Sequence, residues 1–417
     1  MNMRGFMKAG HWPVLLSAFL YFDISFMVWV LLGALANSIV PDFKINDAER
    51  GLMLAIPLLG GSILRLLLGL LTDHIGARRT GIIGLVLTLL PLVLGWLWAD
   101  SFPKILLVGL LLGVAGASFA AALPLASRWY PPEYQGIAMG IAGAGNSGTA
   151  LATFLGPILA QVVGWHAVFG LALLPVIFTL LVFVLLAKDS PNQPAPKPLT
   201  DYAAVLRLAD TWWFCLFYSV TFGGFVGLAV FLNSFFHLQY GLDRVQAGYF
   251  ATGCVIAGSF LRPVGGYLAD RFGGIRMLTV LYVGVGLMML GLATLPPLAL
   301  GTALMFVGMG MLGMGNGAVF QLVPQRFPKE IGVMTGIVGA AGGLGGFFLP
   351  NLLGSMRQLT NTFSGGFLIF AVVGFGCAVA LLQVSRMWVG VFVGKGGTIS
   401  GFVPDRALLV QELETTA

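Results

Sequence analysis

Charge is scarce in this chain: Asp, Glu, Lys and Arg together make up 9% of its 417 residues. A soluble domain carries about 25%, so the shortage excludes an ordinary water-soluble protein. Histidine occurs only four times, never at ligand spacing from another His, a Cys or a carboxylate. The three cysteines, Cys215, Cys254 and Cys377, all sit in apolar runs without motif spacing. These shortages argue against a metal centre, a disulfide framework and a Cys/His or Ser/His/Asp catalytic group. Neither a cofactor nor an enzyme activity is expected. Alternation of period two is absent as well, which argues against a β-barrel.

What is abundant is apolar length, with 58% of the chain hydrophobic. Twelve runs suit helices that cross an apolar layer about 30 Å thick. They lie near 12–36, 50–71, 78–98, 103–127, 136–160, 165–187, 210–236, 246–268, 276–295, 298–322, 332–356 and 363–388. The expected fold is therefore an all-α integral membrane protein of twelve transmembrane helices. Met1 to Trp12 is short and basic and runs directly into the first span, without the small-residue cleavage site of a removed signal peptide. The net charge of +6 is a topology signal rather than a nucleic-acid footprint. With both termini on one side, the loops of that side hold fifteen Lys and Arg and the opposite loops five. The positive-inside bias then places both termini in the cytoplasm.

The segment Lys188 to Thr200 contains four prolines, which cannot continue a helix. It divides the chain into an N-terminal six-helix half (1–187), a linker (188–209), a C-terminal half (210–388) and a tail (389–417). The halves repeat. Gly61-Ser62-x-Leu64-Arg65 returns as Gly258-Ser259-x-Leu261-Arg262, and the same offset of 197 relates Gly69 to Gly266, Asp73 to Asp270, Arg79 to Arg276 and Tyr21 to Tyr218. Arg128-Trp-Tyr-Pro-Pro-Glu133 answers Arg326-Phe-Pro-Lys-Glu330, and Phe119 with Pro124 answers Phe320 with Pro324. Parallel six-helix repeats of this kind bind their cargo near the membrane midplane, between the halves.

Of the twenty-two basic residues, only Arg65 and Arg262 fall inside spans. A guanidinium at that depth costs about 3 kcal/mol on the lenient insertion scale and stays charged. Each precedes its interfacial aspartate, Asp73 or Asp270, by eight residues, about 12 Å of helix, which puts both near the midplane. Asp23 is the one carboxylate deep within a span, so two buried cations face one anion. A bound substrate anion balances that deficit, and the planar five-donor fork suits a planar oxyanion. Phe119 and Phe320 occupy equivalent positions from which two rings can close on a flat anion. Asp73, beside Arg78 and Arg79, is expected to pair across the short turn. Gly140, Ala144, Gly148, Ala152 and Gly156 form a continuous small-residue face, and the eleventh span is richer still in glycine. Asn146 lies within the first of these runs, as interhelical glue or as an anion donor. Gly143-x-Gly145-x-x-Gly148 spells a dinucleotide fingerprint but follows no strand, so it is read as transmembrane glycine.

The segments Gly69 to Arg79 and Gly266 to Arg276 resemble the loop motif between helices two and three of the major facilitator superfamily. Ala142-Gly-Ala-Gly-Asn-Ser-Gly-Thr149 and Gly339-Ala-Ala-Gly-Gly-Leu-Gly-Gly346 resemble the nitrate signatures of its nitrate/nitrite porter family, the NarK/NasA type. The resemblance runs from the first span to the twelfth. It implies substrate contacts from Arg65, Arg262, Phe119, Phe320, Asn146 and Tyr218, together with the signature glycines Gly143 and Gly342. It also implies gating-loop roles for Asp73, Arg79, Asp270 and Arg276. The activity it implies is secondary transport of nitrate, nitrite or both by a monomer in the cytoplasmic (inner) membrane, with nitrate, nitrite, protons and lipid as partners and no nucleic acid. Asp23 departs from the family's pattern, whose exchangers carry no acidic residue in the path. It is expected either to couple transport to protons, as in nitrate/proton symport, or to stay ionised and neutralise one arginine in a nitrate/nitrite antiporter. A transporter of another small anion, and a non-transporting nitrate sensor signalling through Phe402 to Ala417, complete the alternatives.

Overall fold

The computed structural model describes residues 3–191, 199–327 and 330–394, and within them nothing is said of the side chains of 3–5, 132–137, 199, 201 and 202. Residues 192–198 of the linker and 395–417 of the tail therefore lie outside the described residues. Among the described residues the molecule is almost entirely helical, with ten helices long and apolar enough to cross a membrane. These are α1 (Trp12–Phe43), α2 (Asp47–Ile75), α3 (Ala77–Leu97), α4 (Phe102–Ser127), α6 (Trp165–Leu186), α7 (Ala209–Tyr240), α9 (Gly274–Ala293), α10 (Leu298–Arg326), α11 (Ile331–Thr360) and α12 (Ser364–Trp388). The fifth and eighth expected spans are helical too, but interrupted, as α1 is at Val30 and α4 at Ala117 and Ser118. The fifth, α5 (132–163), breaks at a short 3-10 turn, Ala144–Ser147, and the eighth, α8 (244–272), breaks at Leu261.

The helix ends follow from local chemistry. Asn46 caps α2 through a capping box in which its Oδ1 accepts from Glu49 N at 2.9 Å, while Glu49 Oε2 accepts from Asn46 N at 2.8 Å. Asp243 caps α8 by accepting from the amides of Val245 and Gln246, both at 2.9 Å. Gly76 (φ +91°) ends α2 and Gly273 (φ +94°) ends α8. That region favours a residue without a Cβ, so the internal repeat specifies both stops.

The break in α5 corrects one expectation. The small residues do not form one continuous face, because the 3-10 turn falls on the Gly-Ala-Gly-Asn-Ser stretch itself. The break lets α5 lie against α1: a methyl on Gly148 would run into the Asp23 carbonyl, and one on Gly145 would lie 2.7 Å from the Phe22 ring.

Polar side chains link the halves on the face that carries Asn37 and Asp47. Asn37 of α1 donates to Asn233 O of α7 at 2.9 Å, and Asn233 donates back to Ala34 O at 3.3 Å. Arg357 of α11 pairs with Asp47 of α2 at 2.8 Å, and the Thr153 and Thr252 hydroxyls meet at 3.0 Å. Toward the face that carries Asp73 and the linker, the pairs Asp73–Arg128 and Asp210–Arg326 each lie within one half. There Gly140 of α5 and Gly336 of α11 have nothing within 4 Å of where a Cβ would sit. The halves are thus closely linked on one face, the sealed face, while on the other Gly140 and Gly336 look onto open space.

Candidate functional site

Arg65 sits fully buried where α2 meets α4 and α11. Its Nη1 donates to Gly339 O and its Nη2 to Gly116 O at 2.5 and 2.7 Å, while Nε has no partner. The guanidinium faces three rings, Phe119, Phe222 and Trp29, at 5.1, 5.3 and 5.5 Å from their centroids. Such contacts contribute roughly 0.5–2 kcal/mol each when desolvated, which offsets part of the burial cost. Glycine at 339 is what lets the arginine reach α11, because a Cβ there would lie 3.1 Å from Arg65 Cδ.

Arg262 begins the second segment of α8 directly after the break at Leu261. It is 9% exposed, its guanidinium stands 5.9 Å from the Phe119 ring, and its Nη1 has no partner. Both arginines, 197 residues apart in sequence, therefore lie within 6 Å of the centroid of the same ring. They repel one another, and Tyr218 lies close enough to interact with both. Gly143 also faces Arg262, the position of its missing Cβ being 3.9 Å from Nε and Cζ.

Phe119 and Phe320 come together, but not as parallel plates. Their centroids are 6.0 Å apart and the rings are tilted by 60°. Phe320 also meets Tyr218 edge-on at 5.0 Å, and Tyr218 stacks on Phe222 at 5.1 Å. Gly342 makes room for this stack, since a methyl there would lie 2.5 Å from the Tyr218 ring. The buried hydroxyl of Tyr218 and both side-chain amide atoms of Asn146 lack hydrogen-bond partners, while Asn146 O accepts from Ser259 Oγ at 3.3 Å. Unpartnered buried donors cost about 1–3 kcal/mol each, which makes the cluster beside the two guanidiniums a candidate polar ligand site.

Two expected pairings differ. Asp23 is buried and joined to neither arginine; it accepts from Ser147 Oγ at 2.6 Å, within the break of α5. The cause is backbone placement, because Gly145 and Gly148 draw the α5 turn onto α1 at this residue. Asp73 pairs not with Arg78 or Arg79 but with Arg128, at 3.2 Å, at the end of α4. Arg78 turns instead to the α6 end, its amide donating to Asp189 Oδ1 at 2.9 Å and its Nη2 to Val184 O at 3.1 Å. The second half differs again: Arg326 pairs with Asp210, which also accepts from Trp388 Nε1 at 2.8 Å, and Asp270 lies beside Gln321. Arg79 and Arg276 form no ion pair among the described residues.

Sequence reading missed Trp29, Phe222 and the carbonyls of Gly116 and Gly339. For Phe222 a signal existed, since it follows Tyr218 by one helical turn and shares its face. The carbonyls left none, because every residue type supplies one. No group of metal-binding side chains occurs among the described residues, and all three cysteines are free and buried.

Residues 17–350 match the family model of the Major Facilitator Superfamily. A Bacillus subtilis (strain 168) protein described as "Nitrite extrusion protein" is 37% identical over 358 residues, covering 86% of this chain and 90% of that one. The "Probable nitrate/nitrite antiporter NarK1" of Thermus thermophilus is 33% identical over 393 residues, covering 85% and 88%. Among solved structures, a D-xylose-proton symporter superposes with a TM-score of 0.76 at 16% identity over 93% of this chain and 99% of that one, which speaks to the fold alone. The chain belongs to the Major Facilitator Superfamily of membrane transporters and groups there with the nitrite extrusion protein and the nitrate/nitrite antiporter.

Proposed function

We propose that this protein moves nitrate, nitrite or both across the bacterial cytoplasmic membrane by alternating access, with the anion held between Arg65 and Arg262. The observation that carries the reading is the meeting of two buried guanidiniums, one from each half, at the same Phe119 ring, 5.1 and 5.9 Å from its centroid. A small planar anion at that point receives donors from both halves. Binding it therefore draws the halves together, and its release lets them part. Arg65 Nε, Arg262 Nη1, the Tyr218 hydroxyl and the Asn146 amide are the donors free to serve it. The positive-inside bias assigns the linker-side face to the cytoplasm and the sealed face to the exterior. Asp73, Asp270 and their neighbours then act in the inward gate, and Arg128 rather than Arg79 carries the ionic contact with Asp73.

A second reading concerns coupling. Asp23 is buried beside a serine and has no cationic partner among the described residues, which favours a carboxyl that takes up and releases a proton over a permanent counter-ion for an arginine. Because no ion pair joins Asp23 to Arg65 or Arg262, protonation acts through the contact between α1 and the break of α5. Labelled-nitrate uptake into proteoliposomes separates the schemes. Under symport an imposed inward proton gradient drives uptake, Asp23→Asn abolishes that response, and internal nitrite is not needed. Under exchange, preloaded nitrite drives uptake and Asp23→Asn leaves it intact. Failure of both drives to move nitrate, with a competing carboxylate taken up instead, would overturn the choice of substrate.

A further inference from the structure

On the sealed face a third buried arginine stands apart from the central pair. Arg50 lies in the first turn of α2, fifteen residues from Arg65, about 22 Å along the helix. It is only 6% exposed, and both Nε and Nη1 lack a hydrogen-bond partner. The carboxylate that acts on it, Asp47, is already held by Arg357 Nη1 at 2.8 Å, and Arg357 repels Arg50 across the boundary between the halves. The other acids of this face are engaged elsewhere. Glu49 completes the Asn46 capping box, Asp42 accepts from Trp165 Nε1 at 2.6 Å, and Asp243 caps α8. Two arginines thus share one carboxylate where α2 presses on α11 closely enough that a methyl on Gly51 would lie 2.6 Å from Pro350 O. The first turn of α2 adds the positive end of a helix dipole.

We propose that the outer seal contains a second anion site, built on the unpartnered edge of Arg50 within the field of Arg357. Its ligand is a small monovalent anion, the size of a halide or nitrate. An anion there offsets the repulsion between an arginine of each half, so it favours the closed outer face. The site is separate from the central one and does not depend on the identity of the transported substrate. It makes the outer gate responsive to the external anion.

The test uses the full chain in nanodiscs with spin labels at Asp100 and Thr294, exposed positions on the sealed face of opposite halves. The interlabel distance is followed while chloride or nitrate is titrated against a gluconate background. The three native cysteines are buried and leave the introduced thiols to react. In the otherwise native chain and in Arg262→Lys, gluconate lengthens the distance and small anions restore the short one. In Arg50→Gln the anion concentration for half-closure rises at least about tenfold, the loss expected for one charge-assisted hydrogen bond. Arg50→Lys, which keeps the charge, recovers part of the response. Closure by nitrate but not chloride identifies the transported oxyanion as occupant, and closure by both identifies a general small-anion site. Distances in Arg262→Lys that are the same in gluconate, chloride and nitrate would overturn the proposal, as would an Arg50→Gln titration that matches its parent. Loss of nitrate transport in Arg262→Lys with the outer response intact separates this site from the central reading.

Discussion

Replacing Arg65 with lysine keeps the charge and removes the geometry. In the structure the guanidinium donates in two directions at once, to Gly339 O of α11 and Gly116 O of α4, and still has Nε to spare. A lysine ammonium has a single nitrogen on a flexible stem, so it reaches one carbonyl or the anion but not both carbonyls and the anion. The lost donor to an anionic ligand is a charge-assisted hydrogen bond, about 1.5–3 kcal/mol. At 1.4 kcal/mol per decade this raises the apparent Kd for nitrate about 10- to 150-fold. The carbonyl left unsatisfied costs a further 1–3 kcal/mol or so of fold stability. The two effects separate in one assay, the thermal unfolding of purified protein across a nitrate titration. Arg65→Lys lowers the midpoint without nitrate and shifts the onset of nitrate stabilisation to higher concentration by the same factor as the loss in uptake affinity. Unchanged onset and unchanged uptake KM would refute the assignment of Arg65 to the anion, whatever happened to the midpoint.

The same geometry sets further outcomes. Phe119→Ala removes the ring that both guanidiniums face. Transport should fall by an order of magnitude or more, checked by initial rates at saturating and subsaturating nitrate, because cation–π contacts of about 1 kcal/mol to each of the two guanidiniums are lost together. Asn37→Ala breaks one of the two amide links across the seal, about 1 kcal/mol, and shifts the population toward the outward-open state, which labelling of an introduced thiol on α7 from the external side measures. Gly148→Ala drives a methyl into the Asp23 carbonyl; the α1–α5 contact should loosen by about 1–3 kcal/mol, seen as a lower unfolding midpoint that added nitrate does not rescue to the parent value. Asp23→Asn has the opposite profile: the midpoint is kept while the response of uptake to an imposed pH gradient is lost.

The spans, the repeat and the two arginines were legible in the chain because each rests on a strong local constraint. Helices must satisfy their own backbone in lipid, so an apolar run of about twenty residues is enough to announce a span. Arg65 and Arg262 stood out because a guanidinium deep within an apolar run is costly, whereas the buried Arg50, at the outer end of α2, did not. The breaks in α5 and α8 were not legible. An apolar, glycine-rich stretch reads the same whether it continues or turns, and the choice at Ala144–Ser147 depends on what α1 presents to it.

Composition and spacing by themselves determined a helical membrane protein with an internal repeat and singled out a candidate anion-binding centre, since burial cost and helical rise are properties of the residues alone. Tertiary structure decided which partners the charges take. Asp23 goes to Ser147 rather than to an arginine, Asp73 to Arg128 rather than to Arg79, and Arg65 to two glycine carbonyls. A charge in a low-dielectric interior takes the group that backbone packing brings within about 3 Å, and that packing depends on contacts between helices far apart in the chain.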